Sequence, residues 1–260
     1  MTNVLVCVKR VPDVSGEVLL TEDGQSVDAR YVGFTTSAHE QCAVELAVQL
    51  CADGGSSRVV SVGAAESVEQ LRSALGVGIA GATLVEADPV SLGPADVAHE
   101  IAAVVRDHEA AGLADGGGAY DLVLLGNDAA DSGDFQVPIR VAAALGRPVV
   151  TGIKTIEVRD GVAHLQGDGP EGTETYAVPL PAVVSVLEGG VKPRYPTITG
   201  RMKAKKIEIE TREPSAAALG SGRITMTLPP PTPSSVEVLG EGPAAAGAVV
   251  DLFEKLGVSR

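Results

Sequence analysis

The stretch DLVLLGNDAADSGDFQVPIRVAAALGRP, Asp121 to Pro148, runs from an apolar segment into a helical pattern through a loop with three aspartates and no lysine. Its first six residues, DLVLLG (121–126), are short and continuously apolar, as expected of a strand buried on both faces. A helix is expected from about Gln136 to Leu145. Pro138 suits only its first turn, where the missing N–H has no partner to lose. Working outward, the same alternation recurs upstream. NVLVCVK (3–9), RVVSVG (58–63) and ATLVEA (82–87) read as strands. HEQCAVELAVQLCA (39–52), SVEQLRSALG (67–76) and ADVAHEIAAVVRDHEA (95–110) read as helices, the first with Cys42, Ala43, Leu46, Ala47, Leu50 and Cys51 on one stripe. This alternation predicts an α/β fold, a doubly wound parallel sheet with right-handed crossovers.

After Pro148 the rhythm changes. TGIKTIEVRD, GVAHLQGD and TETYAVPL read as antiparallel strands with glycine turns, and AVVSVLE as a last core strand. Residues 189–210 (GGVKPRYPTITGRMKAKKIEIE) read as irregular and basic, LPPPTPSS (228–235) as a semi-rigid spacer, and 243–258 as an amphipathic helix opened by Pro243. The expected organisation is an α/β domain over 1–210 and an extension over 211–260 that packs on a partner.

Composition narrows the function classes. The chain has 260 residues, enough for a full core, and is 45% hydrophobic, yet only 3% aromatic with no Trp. Ala, Val, Leu and Gly must therefore fill the interior. A net charge of −14 opposes binding to nucleic acid or to an anionic membrane. No basic leader with an apolar run opens the chain, and no window nears the roughly 20 apolar residues of a membrane span. A cytoplasmic protein with no integral membrane segment is expected. Cys7, Cys42 and Cys51 form no CxxC pair and read as core residues, and His39, His99, His108 and His164 lack metal-ligand spacing. GVGIAG (76–81) matches GxGxxG, but it follows a helix and leads into a strand, the reverse of the dinucleotide fingerprint. It reads as a turn needing positive φ, and the match gives no support to a nicotinamide-dependent oxidoreductase.

The 126–137 loop lies where open α/β sheets take ligands, at the carboxyl end of a parallel strand. The unpaired N–H groups and positive dipole end of the following helix form an anion site without any basic side chain. Ser132, Gly133 and Asp134 permit the necessary bends, and Gln136 can bond a ribose or phosphate oxygen. Two readings stand at this point: a phosphate-bearing ligand, or a solvent loop with an aspartate cap. The basic run Arg194, Arg201, Lys203, Lys205 and Lys206 is either a solvated face or a docking patch for an acidic partner.

Five segments in order, VLVCVKRVPD, EQCAVELAVQL, LRSALGVGIAGATLV, DLVLLGNDAADSGDFQV and LPAVVSVLEGGVKPRYPTITGRMKAKK, resemble the β subunit of electron transfer flavoproteins over nearly the whole chain. The resemblance implies a Rossmann-type (adenine nucleotide alpha hydrolase-like) domain that is not itself a catalyst. It implies a heterodimer with an α subunit carrying redox-active FAD. That pair collects electrons from acyl-CoA or other flavin dehydrogenases and passes them on. It implies AMP as a structural element in this chain, or FAD in its place in members that bifurcate electrons. The nucleotide contacts carry over to Cys7, to Ser37, Ala38, His39 and Glu40, and to Val62. They also carry over to Gly126, Asn127, Asp128, Ala129, Ala130, Asp131, Ser132, Gly133, Asp134, Phe135, Gln136 and Val137. Docking of the dehydrogenase carries over to Gly189, Gly190, Pro193, Arg194 and Tyr195, with Gly189 and Gly190 standing where the family has an apolar anchor. The family's Asn-Pro-Phe is SAH (37–39) here. The alternative, a stand-alone adenine-nucleotide module, has no need of the 189–210 segment or a proline-spaced arm.

Overall fold

The computed structural model describes residues 1–13, 15–16, 18–112, 118–222, 225–230 and 236–258; the spacer residues 231–235 lie outside this set. Strand β1 (Val4–Cys7) is buried on both faces. β2 (Val11–Pro12) and β3 (Phe34–Thr35) pair as a small antiparallel ribbon. Then follow α1 (Ala38–Leu50), β4 (Ser57–Gly63), α2 (Val68–Val77), β5 (Gly81–Glu86), α3 (Pro94–Ala110), β6 (Leu122–Gly126) and α4 (Val137–Leu145). The second half supplies β7 (Val149–Arg159), β8 (Val162–Gly169), β9 (Gly172–Pro179), β10 (Ala182–Val186), α5 (Ile198–Ala204) and β11 (Ile209–Arg212).

One nine-stranded sheet runs in the order β11-β5-β4-β1-β6-β10-β7-β8-β9. All neighbours from β11 to β7 are parallel, and β8 and β9 extend the sheet antiparallel. The period-2 alternation of each strand divides its side chains between two cores. Val4, Val6, Leu122 and Leu124 meet α1 and α2; Leu5, Cys7, Val123 and Leu125 meet α3 and α4. Helices thus cover both faces, which is the doubly wound arrangement. Leu5, Leu122 and Leu124 are fully enclosed, and each such side chain contributes about 1.5–3 kcal/mol by leaving water.

Two elements in the 189–210 segment were not visible as regular structure in the sequence. Residues 198–204 form α5, and 209–212 form β11, which pairs with β5 at the sheet's outer edge. Glu210 ties that edge inward. Its Oε2 lies 3.0 Å from His108 Nε2 and accepts from Thr83 Oγ1 at 3.0 Å, while His108 Nδ1 sits 2.8 Å from the Tyr120 hydroxyl. Burial and the nearby Arg58 keep His108 below the ordinary histidine range, so a neutral ring donates to Glu210 and accepts from Tyr120. Among the described residues no group of His, Cys, Asp and Glu is arranged to hold a metal ion.

α2 continues past Gly76 and ends at Gly78, whose φ of +134° is the positive turn expected of GVGIAG. Gly76 serves packing instead: a Cβ there would meet Pro196 Cβ at 3.0 Å.

The chain separates into two compact units, 1–226 and 227–260. Residues after β11 still belong to the first. Asp96 accepts from the amides of Leu219 and Gly220, and Glu100 from those of Ser215 and Ala216. The second unit holds a 3₁₀ turn at Gly242–Ala245 and α6 (Ala246–Lys255). None of its described residues is buried; Val250, Phe253 and Leu256 are exposed. No helix among the described residues is long and apolar enough to cross a membrane.

Candidate functional site

Cys7, Val62 and Gly126 stand at or near the carboxyl ends of the adjacent strands β1, β4 and β6, where α1 begins and the 127–136 loop departs. The start of α1 is fixed by a reciprocal cap. Ser37 Oγ accepts from the Glu40 amide at 3.2 Å, and Glu40 Oε2 accepts from the Ser37 amide at 2.9 Å. The other oxygen of Glu40 accepts from the Lys9 amide at 2.7 Å, so one carboxylate joins the exit of β1 to the entry of α1. Burial pushes the Glu40 carboxyl up to about 7, against the pull of these bonds. The same enclosure, with Glu40 beside it, raises the Cys7 thiol and leaves it un-ionised.

α1 approaches β6 closely. A Cβ on Gly126 would lie 2.9 Å from Glu40 Cγ and 3.4 Å from His39 Cβ, so only glycine fits without displacement. The loop aspartates are mostly engaged. Asp128 Oδ1 lies 3.0 Å from His39 Nδ1, a buried nitrogen without a well-aligned hydrogen-bond partner, and Asp131 pairs with Lys9 Nζ at 2.7 Å. Residues 37–40 and 126–128 are therefore brought together, and Lys9 reaches Asp131. Ala130 through Gln136 face outward.

Ser185 is a participant that sequence reasoning missed. Fully enclosed on β10, it donates to Asn127 Oδ1 at 2.7 Å and accepts from the Gly152 amide at 3.1 Å. Asn127 also donates its amide to Val186 O at 3.0 Å. The loop therefore leaves the sheet from a fixed point. A lone polar residue inside AVVSV was the available signal.

Beyond this anchor the loop turns through Gly133 (φ +59°) and Phe135 (φ +55°) into Gln136, which is in the right-handed region. A left-handed residue followed by a right-handed one aims successive N–H groups into one concavity, as at anion sites. No side chain caps α4 among the described residues, and Gln136 Oε1 is occupied by Arg140, at 2.8 and 3.0 Å. Pro138 has no N–H, so the first-turn amides left for an anion are those of Val137 and Ile139, and with the Phe135–Gln136 reversal they fit a phosphate group.

A family model described as electron transfer flavoprotein domain matches residues 27–217. Electron transfer flavoprotein subunit beta of Syntrophomonas wolfei is 34% identical over 237 residues, covering 90% of this chain and 89% of that protein. The subunit of the same name from Mycobacterium leprae is 32% identical over 258 residues, covering 93% and 94%, and that from Megasphaera elsdenii 27% over 249, covering 95% and 90%.

The chain belongs to the electron transfer flavoprotein beta-subunit family.

The family's name ties the chain to electron transfer through a flavin-bearing complex. In this member of the electron transfer flavoprotein family the other expected site residues follow β10, in the 187–197 segment before α5. Gly190 is packed against β7, where a Cβ would come within 2.0 Å of Lys154 O, so glycine there answers a packing need. Pro193, Arg194 and Tyr195 follow, and Tyr195, Ile198 and Met202 project at 84, 85 and 58% exposure.

Proposed function

We propose that this chain is the nucleotide-holding half of a heterodimeric electron transfer flavoprotein. In this reading AMP occupies the 126–137 loop, and an α subunit carries the FAD that moves electrons from flavin dehydrogenases to a downstream acceptor. The observation that carries the reading is the open N-terminus of α4, reached through the Phe135–Gln136 reversal. Backbone amides and the helix dipole would take the phosphate, while Asp131 is paired with Lys9 and Asp128 is turned toward His39. The apolar ends of β1 and β4, at Cys7 and Val62, would face the base. The chain's own residues bind and orient; redox chemistry belongs to the flavin, in a cytoplasmic complex.

Two further parts follow. The exposed Val250, Phe253 and Leu256 of α6 support an arm that packs on the α subunit. Ile198 and Tyr195, followed in sequence by Arg201, Lys203, Lys205 and Lys206, would supply the apolar anchor absent at Gly189 and Gly190. Co-expression with an α-type partner tests the whole. The expected product is a yellow heterodimer whose released nucleotides, by mass spectrometry, are one FAD and one AMP. Two FAD would assign the bifurcating type, and no adenine nucleotide beyond the α subunit's FAD would refute the loop's role.

A further inference from the structure

The segment between β10 and β11 is fastened to α1 and α2 at several points. Arg194 engages Glu45 of α1 through both ends of its guanidinium, Nε to Oε2 at 2.8 Å and Nη2 to Oε1 at 2.6 Å, and its amide reaches Oε2 at 3.2 Å. Glu45 is 3% exposed, and Arg194 holds its carboxyl below the usual glutamate range. Further along, Gly200 lies so close to α2 that a Cβ would fall 2.3 Å from Gly76 O. Arg72 of α2 donates to the carbonyls of Ala204 and Ile207, closing the end of α5. The inward side is locked while Tyr195, Ile198 and Met202 point outward.

We propose that Glu45 is a positioning residue for docking: through Arg194 it fixes the Pro193–Pro196 segment and so presents Tyr195 and Ile198 in the pose a donor dehydrogenase receives. The inference rests on the docking reading above and adds the kind of surface the dehydrogenase must offer. An apolar pocket for Ile198 with carboxylates at its rim complements the cluster of Arg201, Lys203, Lys205 and Lys206, which is basic in a chain of net charge −14. A segment ordered before contact needs no ordering on contact, and that difference appears as affinity.

The test uses the co-expressed heterodimer with Glu45→Gln and, separately, Gly200→Ala. Amide exchange over residues 191–204 is expected to quicken in both. With an acyl-CoA dehydrogenase reduced by its acyl-CoA as the probe, KM for the heterodimer should rise about tenfold, from re-ordering two or three side chains on docking. The kcat, and direct reduction by dithionite, should stay unchanged; a purely structural defect would lower these too. Unchanged exchange and KM in Glu45→Gln overturn the proposal. Should that variant fail to assemble, Glu45→Asp, which keeps the charge but shortens the reach to Arg194, decides by the same readouts. If the native heterodimer accepts electrons from dithionite but not from the dehydrogenase, the docking reading fails, and amide exchange alone decides whether Glu45 orders the segment.

Discussion

Replacing Glu40 with glutamine removes one titrating proton from the centre of the candidate nucleotide site. In the folded chain this carboxyl, ordinarily near 4.5, is pushed up to about 7, because burial outweighs the bonds from the Ser37 and Lys9 amides. The folded state then keeps a proton that the unfolded chain has released. Stability from this group is complete below about pH 4.5 and is lost as pH rises through about 7. Between about pH 5.5 and 8 the loss is about 2 kcal/mol. Glutamine carries no such proton. Its NH₂ must face one of the two N–H donors, a fixed penalty of about 1–3 kcal/mol that is the same at both pH values. The stability of Glu40→Gln minus that of the native chain should therefore move by about 2 kcal/mol in favour of glutamine between about pH 5.5 and 8. The chain lacks Trp, so urea unfolding followed by far-UV circular dichroism is the assay. A difference that does not change with pH would refute the argument from burial. A shift of opposite sign would mean that the two amides and Lys9 stabilise the charged form more than enclosure penalises it.

Other perturbations reach the same site and its surroundings. Ser185→Ala leaves Asn127 Oδ1 and the Gly152 amide without their partner; a loss of about 1–3 kcal/mol is expected, with less co-purified nucleotide. Undiminished nucleotide content would count against the loop anchor. Gly126→Val drives a side chain into Glu40, where even a Cβ comes within 2.9 Å, and should abolish nucleotide retention while the sheet's circular dichroism survives; a full complement of AMP would sink this. Deletion of residues 227–260 should weaken co-purification with an α-type partner, and an equally stable complex without them would dismiss the arm.

The parallel strands were legible because a strand enclosed on both faces reads as a continuous apolar run, as in VLVC and LVLLG. The loop at Gly126 was legible from the juxtaposition of such a run with a helical pattern, which places it at the sheet's carboxyl edge. Pairings across long separations were not. Nothing local marks Ser185 as the partner of Asn127, or Glu45 as the partner of Arg194, since each sits inside an otherwise apolar strand or helix stripe. α5 was hidden because Gly200 ordinarily argues against a helix; it is tolerated where the helix must press against Gly76. β11 was masked by its short length and by the basic run before it, though Ile207 and Ile209 alternate with Glu208 and Glu210. The aspartates of the loop suggested the wrong charge for a phosphate; the Lys9–Asp131 pair, 122 residues apart in sequence, offsets one of them and has no local signature.

The 187–208 segment leaves one strand and returns to another of the same sheet, crossing from β10 to β11 over the helices between. Five strand spacings separate those ends, about 24 Å, which about seven extended residues would bridge. Roughly two-thirds of the belt is therefore slack in the topological sense, drawn up into a raised, strapped-down platform. Its outer face can be rewritten, one side chain at a time, without disturbing the sheet that anchors both ends. The buckle at Glu45 is a point on α1 where such rewriting would be felt.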